Sequence, residues 1–310
     1  MIIVAVTDLE KQVFDSNPSD FIKKLIAQHV ATSPENRLPA FDYDPIYDEP
    51  LTGFADGDDP VFKQFKSDSI IGDFHCTPRE ALTKHLSLQG KKDCNIQPEH
   101  ISVIVFIFPF TEKNIISGRG ETEVCSLRLN HANTCGRRFH KNSVGYVASV
   151  LEELGYQTVA PSCTVPEQML FTAKGPVSDW SEKHAAYAAG LGTFSYSGSI
   201  ISEKGKAVRL ASIITGLQLP PTPRLYSSYM SHCLRNQNGS CHRCIDRCPS
   251  SALSDQGYDS KKCTEYNNVT VPGIVKEKGR EGYDSDHIIC GLCESKVPCE
   301  DRLPHKKQNR

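Results

Sequence analysis

The sequence predicts a mixed fold: an α/β (α+β) N-terminal domain followed by a small two-cluster ferredoxin-like domain. Three observations predict it. Helix and strand signals alternate through the first two-thirds of the chain. A Leu219-Pro220-Pro221-Thr222-Pro223 run then blocks both helix and central strand. Of 13 cysteines in 310 residues, five precede that break and eight fall in the 67 residues from Cys233 to Cys299. The boundary is therefore placed at 222, giving domains 1–222 and 223–310. A chain of this length needs no disulfide staples. A hydrophobic share of 38% and a charged share of 23% are those of an ordinary globular protein.

The elements follow in order. Residues 2–6 read as a short buried strand, and Ser19 to Val30 as a helix after Pro18. The Pro-, Asp- and Gly-rich stretch 34–60, with Phe41, Tyr43, Tyr47 and Phe54, reads as a surface loop or lid. Thr77-Pro78-Arg79-Glu80 is a capping box with proline at the first helical position. Ile101 to Phe108 is almost all β-branched or aromatic, as expected of a strand covered on both faces. Val144, Val147, Leu151 and Leu154 share one face of a helix over 138–154, and Gly155 stops it. Tyr156 to Ala160 returns as a strand. Asp179-Trp180-Ser181-Glu182 reads as a second capping box, with Asp179 as N-cap, opening a helix through Ala189. Ile200-Ile201 and Val208 to Ile214 read as paired strands around Glu203-Lys204-Gly205-Lys206.

Composition narrows the function classes. A net charge of −2 supplies no basic field, so nucleic acid is expected to be an unlikely partner. The longest apolar run, Val103 to Phe110, is far short of the roughly 20 residues a membrane helix needs. The N-terminus lacks the basic and apolar regions of a signal peptide, so a cytoplasmic location is expected. Thiols stay reduced there, and dense cysteines point to metal.

The tail contains Cys241-x2-Cys244-x3-Cys248-Pro249, three-quarters of the bacterial ferredoxin run, with Cys233 as the displaced first member. Cys263, Cys290-x2-Cys293 and Cys299 form a second group. Eight thiolates are what two 4Fe-4S clusters need. In two-cluster ferredoxins the fourth cysteine of a run serves the other cluster. By that rule one set is Cys233, Cys241, Cys244 and Cys299, and the other is Cys248, Cys263, Cys290 and Cys293. The alternative is one zinc on Cys241, Cys244, Cys290 and Cys293, which leaves four cysteines without a role.

A helix ending in Ala188-Ala189-Gly190-Leu191-Gly192, a strand pair, the ferredoxin run, Lys262-Cys263 and a final Cys-x2-Cys…Cys group occur here in that order. That order resembles epoxyqueuosine reductases and, more distantly, reductive dehalogenases, over about residues 135–300. Gly57-Asp58-Asp59-Pro60, Arg119-Gly120-Glu121, Trp180-Ser181-Glu182-Lys183-His184 and Cys290-Gly291-Leu292-Cys293 are similar to a set of epoxyqueuosine-reductase-like iron–sulfur proteins. The resemblance implies cobalamin in the N-terminal domain and electrons passing through two clusters to its cobalt. It implies a low-potential electron donor such as ferredoxin or flavodoxin, and a small-molecule or modified-nucleoside substrate. It assigns Gly190, Leu191, Gly192 and Ser197 to the corrinoid. The family's aspartate proton donor is missing from Ala160-Pro161-Ser162-Cys163, which leaves Asp179 and Tyr187 as candidates. Alternatives are an electron carrier without chemistry of its own and a cobalamin-free reductase. Cys163 reads as a small buried hydrophobe or a substrate-side thiol. Cys76, Cys94, Cys125 and Cys135 read as structural. His140 and His184 read as proton or cofactor contacts or hydrogen-bonded histidines, and His242 as a donor to cluster sulfur. Arg119, Arg137 and Arg138 read as anion clamps or solvated charge.

Overall fold

The computed structural model describes residues 6–90, 98–164, 170–172, 175–279, 281–284 and 288–304. The strand expected at 2–6 and Cys94 fall almost wholly outside them. At the centre is a four-stranded sheet in the order Leu51–Asp56, Ser102–Pro109, Val208–Thr215, Thr158–Val159, with every neighbour antiparallel. The fold is thus mixed helix and sheet, on the α+β side.

Ser102–Pro109 is buried at all eight positions because helices cover both faces of the sheet. On one face Ile104, Phe106 and Phe108 pack against Phe139, Val144, Val147 and Leu151 of the Leu127–Glu153 helix and Ile22 and Ile26 of the Pro18–Thr32 helix. On the other, Val103 and Val105 meet Leu82 and Leu86 of Pro78–Leu88 and Ala185 and Ala186 of Glu182–Ala188. Each fully buried Phe here contributes about 2–3 kcal/mol of transfer free energy. Trp180 closes the second layer, its indole Nε1 donating to Ser212 Oγ at 2.9 Å inside the core.

Several elements differ from the sequence reading. Within the supposed loop 34–60, Leu51–Asp56 is an edge strand, paired Leu51 to Ile107 and Ala55 to Val103. Its Gly and Asp residues hide it locally; a partner about 50 residues away creates it. The 138–154 helix begins at Leu127, capped by Ser126 Oγ, which accepts from Leu129 N. Its first turns carry buried polar residues, Asn130 and Asn133, which blur the apolar stripe. The helix after Trp180 is capped by Ser181, whose Oγ accepts from His184 N, and not by Asp179. Ile200–Ser202 pairs with Gly192–Phe194, while Val208–Thr215 joins the central sheet, so the expected hairpin between them does not form.

The tail beyond residue 232 is built of short pieces. Leu234–Asn238 and Arg243–Asp246 are single helical turns. Ser260–Glu265 runs through a π-helical turn, Tyr266–Thr270, into Val271–Glu277. Few apolar contacts hold such pieces, so backbone and charge ties to the body matter. Lys206 N donates to Cys299 O and Glu300 O, both at 3.0 Å, and Ala207 N donates to Glu300 O at 2.9 Å. Gly205, at φ +71°, permits this approach: a Cβ there would stand 2.4 Å from Glu300 O. Arg119 binds the buried Glu300 carboxylate at 2.8 Å and Asp301 at 3.2 Å. Arg247 donates to Ser295 O at 3.1 Å and Glu121 O at 2.8 Å. No helix among the described residues is long and apolar enough to cross a membrane.

Candidate metal centre

The short tail elements bring the eight cysteines into two sets. Cys233 caps Leu234–Asn238, Cys241 and Cys244 flank the start of Arg243–Asp246, and Cys299 comes from the tie at Gly205. These four thiols line one cavity together with Lys206, Ser195, Tyr196 and Ile201. Cys233 and Cys244 are buried and the other two half-buried. Burial pushes the Cys299 thiol up to about 11; the Lys206 ammonium opposes that rise, and Cys233, Cys241 and Cys244 add to it. Cys244 is raised for the same reasons.

Cys248, Cys263, Cys290 and Cys293 form the second set. Cys248 ends the Arg243–Asp246 turn, Cys263 lies on Ser260–Glu265, and Cys293 sits in the 3-10 turn Leu292–Glu294. Burial pushes Cys290 up to about 11, and Cys248 and Cys263 push it further. Cys293 rises to about 12, by burial first and then by Glu294, with Cys290 and Cys263 adding to it. Asn267 braces this set: its Nδ2 donates to Cys263 O at 2.8 Å, and its Oδ1 accepts from Cys290 N at 2.7 Å. No thiol of one set has a disulfide partner among the described residues.

Thiols gathered this closely are poor neighbours as thiolates unless a cation neutralises them. Donor chemistry and mutual proximity therefore fit a thiolate-bound metal centre in each set. Among the described residues, no three Cys, His, Asp or Glu groups converge tightly enough for one bare ion. In a cubane each thiolate holds a different iron, so its four ligands do not converge on a point.

Residues assigned by resemblance to a corrinoid do not build one wall. The Cβ absent from Gly190 would meet Pro223 O at 2.7 Å, and that absent from Gly192 would meet Ile201 O at 2.5 Å. Leu191 packs on Gly53, its Cγ 2.7 Å from the position of a Cβ there. Ser197 is buried on the cysteine side, accepting from Lys206 Nζ at 2.9 Å. The chain itself fills the space on the Cβ side of both glycines, and Lys206 takes up the Ser197 hydroxyl.

Among the other candidates, Asp179 is ion-paired with Lys84, and its carbonyl accepts from Cys76 N at 2.8 Å. Tyr187 is half-buried beside Phe65, Phe194 and Tyr226, and its hydroxyl makes no hydrogen bond among the described residues. His184 Nδ1 and Ser181 Oγ lie 2.8 Å apart, and burial brings its pKa down to about 3. His140, buried under the sheet, is brought down to about 4 in the same way, its Nδ1 3.0 Å from Gly136 O. Cys163 is exposed, not buried, with Sγ 3.2 Å from Lys141 O. His242 lies against Arg235 and Asp255, with ring nitrogens 3.0 and 3.1 Å from Arg235 Nη1. Arg119 is neither an anion clamp nor solvated charge; it straps the tail. Lys206 and Glu294 escape sequence reasoning, because a lysine in a Gly-Lys turn carries the signature of solvent exposure.

Fold and thiols together define a protein of mixed helix and sheet that gathers eight cysteines into two buried or half-buried sets. Among known proteins, the chain is similar to epoxyqueuosine reductases. That from Bacillus anthracis is 32% identical over 120 residues, 38% of this chain and 29% of the relative. That from Gloeobacter violaceus is 29% identical over 170 residues, 53% of this chain and 47% of the relative. The matched part thus spans less than half the length of these relatives. An epoxyqueuosine reductase crystallised with an epoxyqueuosine-modified tRNA stem loop superposes with a TM-score of 0.49 and 15% identity, over 93% of this chain and 68% of that one. The Bacillus subtilis enzyme gives 0.45 and 15%, over 83% and 64%. No protein-family model matches.

Proposed function

We propose that the protein is an iron–sulfur oxidoreductase of the epoxyqueuosine-reductase kind, with 1–222 as its α/β domain and 223–310 as its two-cluster ferredoxin-like domain. One 4Fe-4S cluster would be held by Cys233, Cys241, Cys244 and Cys299, and the other by Cys248, Cys263, Cys290 and Cys293. The carrying observation is that Cys233, Cys241, Cys244 and Cys299 line one cavity, and that Asn267 ties Cys263 to Cys290 in the other set. Such clusters supply one-electron transfer at low potential. The chain's own residues exclude water from the thiols, and Asn267 and Arg247 fix the backbone that presents them.

A soluble low-potential donor such as ferredoxin or flavodoxin would supply electrons in the cytoplasm. Removing one oxygen from the substrate as water takes two electrons, delivered singly through the clusters, and two protons. Tyr187 is the better placed donor, because the Asp179 carboxylate is held by Lys84. The expectation against nucleic acid is withdrawn: it rested on net charge alone, and one similar enzyme has been crystallised with a tRNA stem loop. A modified nucleoside carried on RNA is the substrate class we favour. The chain's own packing accounts for Gly190, Gly192 and Ser197 without a corrinoid, which favours the cobalamin-free reductase among the alternatives.

The test is anaerobic turnover of an epoxyqueuosine-bearing tRNA stem loop with reduced flavodoxin, with and without added cobalamin. Product formed without cobalamin supports this reading. Cluster reduction with no product in either case would leave an electron carrier.

A further inference from the structure

We infer that Lys206 is a built-in counter-charge shared by the two cysteine sets, a positioning residue that sets the potential of the centres it separates. This deepens the two-cluster reading and rests on it. Lys206 is 2% exposed, one of the largest fully buried side chains in the molecule. A lysine is almost never buried without a partner. Yet among the described residues its ammonium makes one hydrogen bond, to the neutral Ser197 hydroxyl at 2.9 Å, and no ion pair. Leaving a buried ammonium without an anion is far costlier than one hydrogen bond can offset.

The missing anion is supplied by the thiol sets. Lys206 lines the cavity of Cys233, Cys241, Cys244 and Cys299. A chain of hydrogen bonds through Ser197, Ser195 and Ser199 leads from it to Glu294, the neighbour of Cys293 in the other set. Glu294, held by Ser199 Oγ, adds one carboxylate at the same seam. The backbone fixes where the charge sits, because Lys206 N is bonded to Cys299 O and Glu300 O. Ser197 Oγ is fixed in turn by Ser195 Oγ at 3.0 Å, which also accepts from Ser199 N at 3.2 Å. The side chain is thus held in the wall of the first set's cavity, on the side linked through the serines to Glu294 and the second set.

A fixed positive charge stabilises the reduced, more negative form of a cluster and so raises its potential; net charge and hydrogen bonding near sulfur set that potential. Removing the charge lowers both potentials. The set around Cys299 shifts further, because Lys206 lines its cavity.

The test is a redox titration followed by electron paramagnetic resonance, on wild type and on K206M, K206Q and K206R, each with iron and sulfide measured. K206Q keeps a polar partner for Ser197 if K206M packs poorly. The expected result is full iron in K206Q, both midpoints lower, the larger fall in one cluster, and a return toward wild type in K206R. Iron-replete K206M or K206Q with unchanged midpoints overturns this inference alone. Wild-type protein without iron overturns the two-cluster reading and this inference together.

Discussion

Arg119→Met is the perturbation whose effect the structure specifies most fully. Arg119 Nε lies 2.8 Å from Glu300 Oε2, and Nη2 lies 3.2 Å from Asp301 Oδ2. The Glu300 side chain is 4% exposed and the Arg119 side chain 37%. Without the guanidinium, Glu300 keeps only neutral donors, Lys296 N at 2.8 Å and Ser295 Oγ at 3.3 Å. Breaking a buried pair by removing one partner costs about 3–5 kcal/mol. Water reaches the arginine end here, so about 2–3 kcal/mol is expected after screening. With a urea slope of about 3 kcal/mol per molar, the unfolding midpoint of metal-free R119M should fall by about 0.7–1 M. Adding E300Q removes the stranded charge and should return about 1–2 kcal/mol. Because Cys299 precedes Glu300, R119M should also release iron to a chelator faster than wild type. A midpoint within about 0.2 M of wild type, or a double variant less stable than R119M, would refute the strap.

His140 and His184 make stability pH-dependent. Burial holds them at about 4 and about 3, against 6.5 when unfolded. Both stay neutral in the fold, so their contribution is complete above pH 6.5 and is lost as pH falls toward those values. Each adds a slope of up to about 1.4 kcal/mol per pH unit, and H184N should flatten the urea midpoint against pH between 6.5 and 4; an unchanged slope would contradict the neutral assignment. Gly205→Ala forces a Cβ to 2.4 Å from Glu300 O at a positive φ and should cost at least about 2 kcal/mol, read as a lower thermal midpoint. Tyr187→Phe should slow single-turnover reduction of the stem loop by about 100-fold or more, whereas Asp179→Asn should leave it within a few-fold. The reverse order would assign the proton to Asp179.

The parts of the fold legible in the sequence are those set by local chemistry. Thr77 caps Pro78–Leu88 with its full capping box, and Ser102–Pro109 is a doubly buried strand, because both signals lie within a dozen residues. Leu51–Asp56 and the first turns of Leu127–Glu153 depend on partners elsewhere: the edge strand on Ser102–Pro109, and buried Asn130 on Asp284, whose N donates to it at 2.7 Å. The candidate centre divides in the same way. Cys241-x2-Cys244-x3-Cys248 is short-range and stands out from spacing alone. Lys206 and Arg119 acquire their roles only when residues 299–301 return across the body, a closure of nearly 100 residues for Lys206 that no local pattern announces. Asp179 shows the opposite failure: it matches a capping pattern, but Ser181 stands nearer the first helical turn and takes the role.

The proposed function stands on two four-iron centres on two defined sets of thiols. Its most direct test is iron and sulfide content of anaerobically prepared protein, with spin quantitation, for wild type, C299A and C263A. About eight iron and eight sulfide are expected per wild-type chain and about four of each in either variant, with a different resonance lost in each. A colourless protein binding one zinc per chain, or the same resonance lost from both variants, would contradict it.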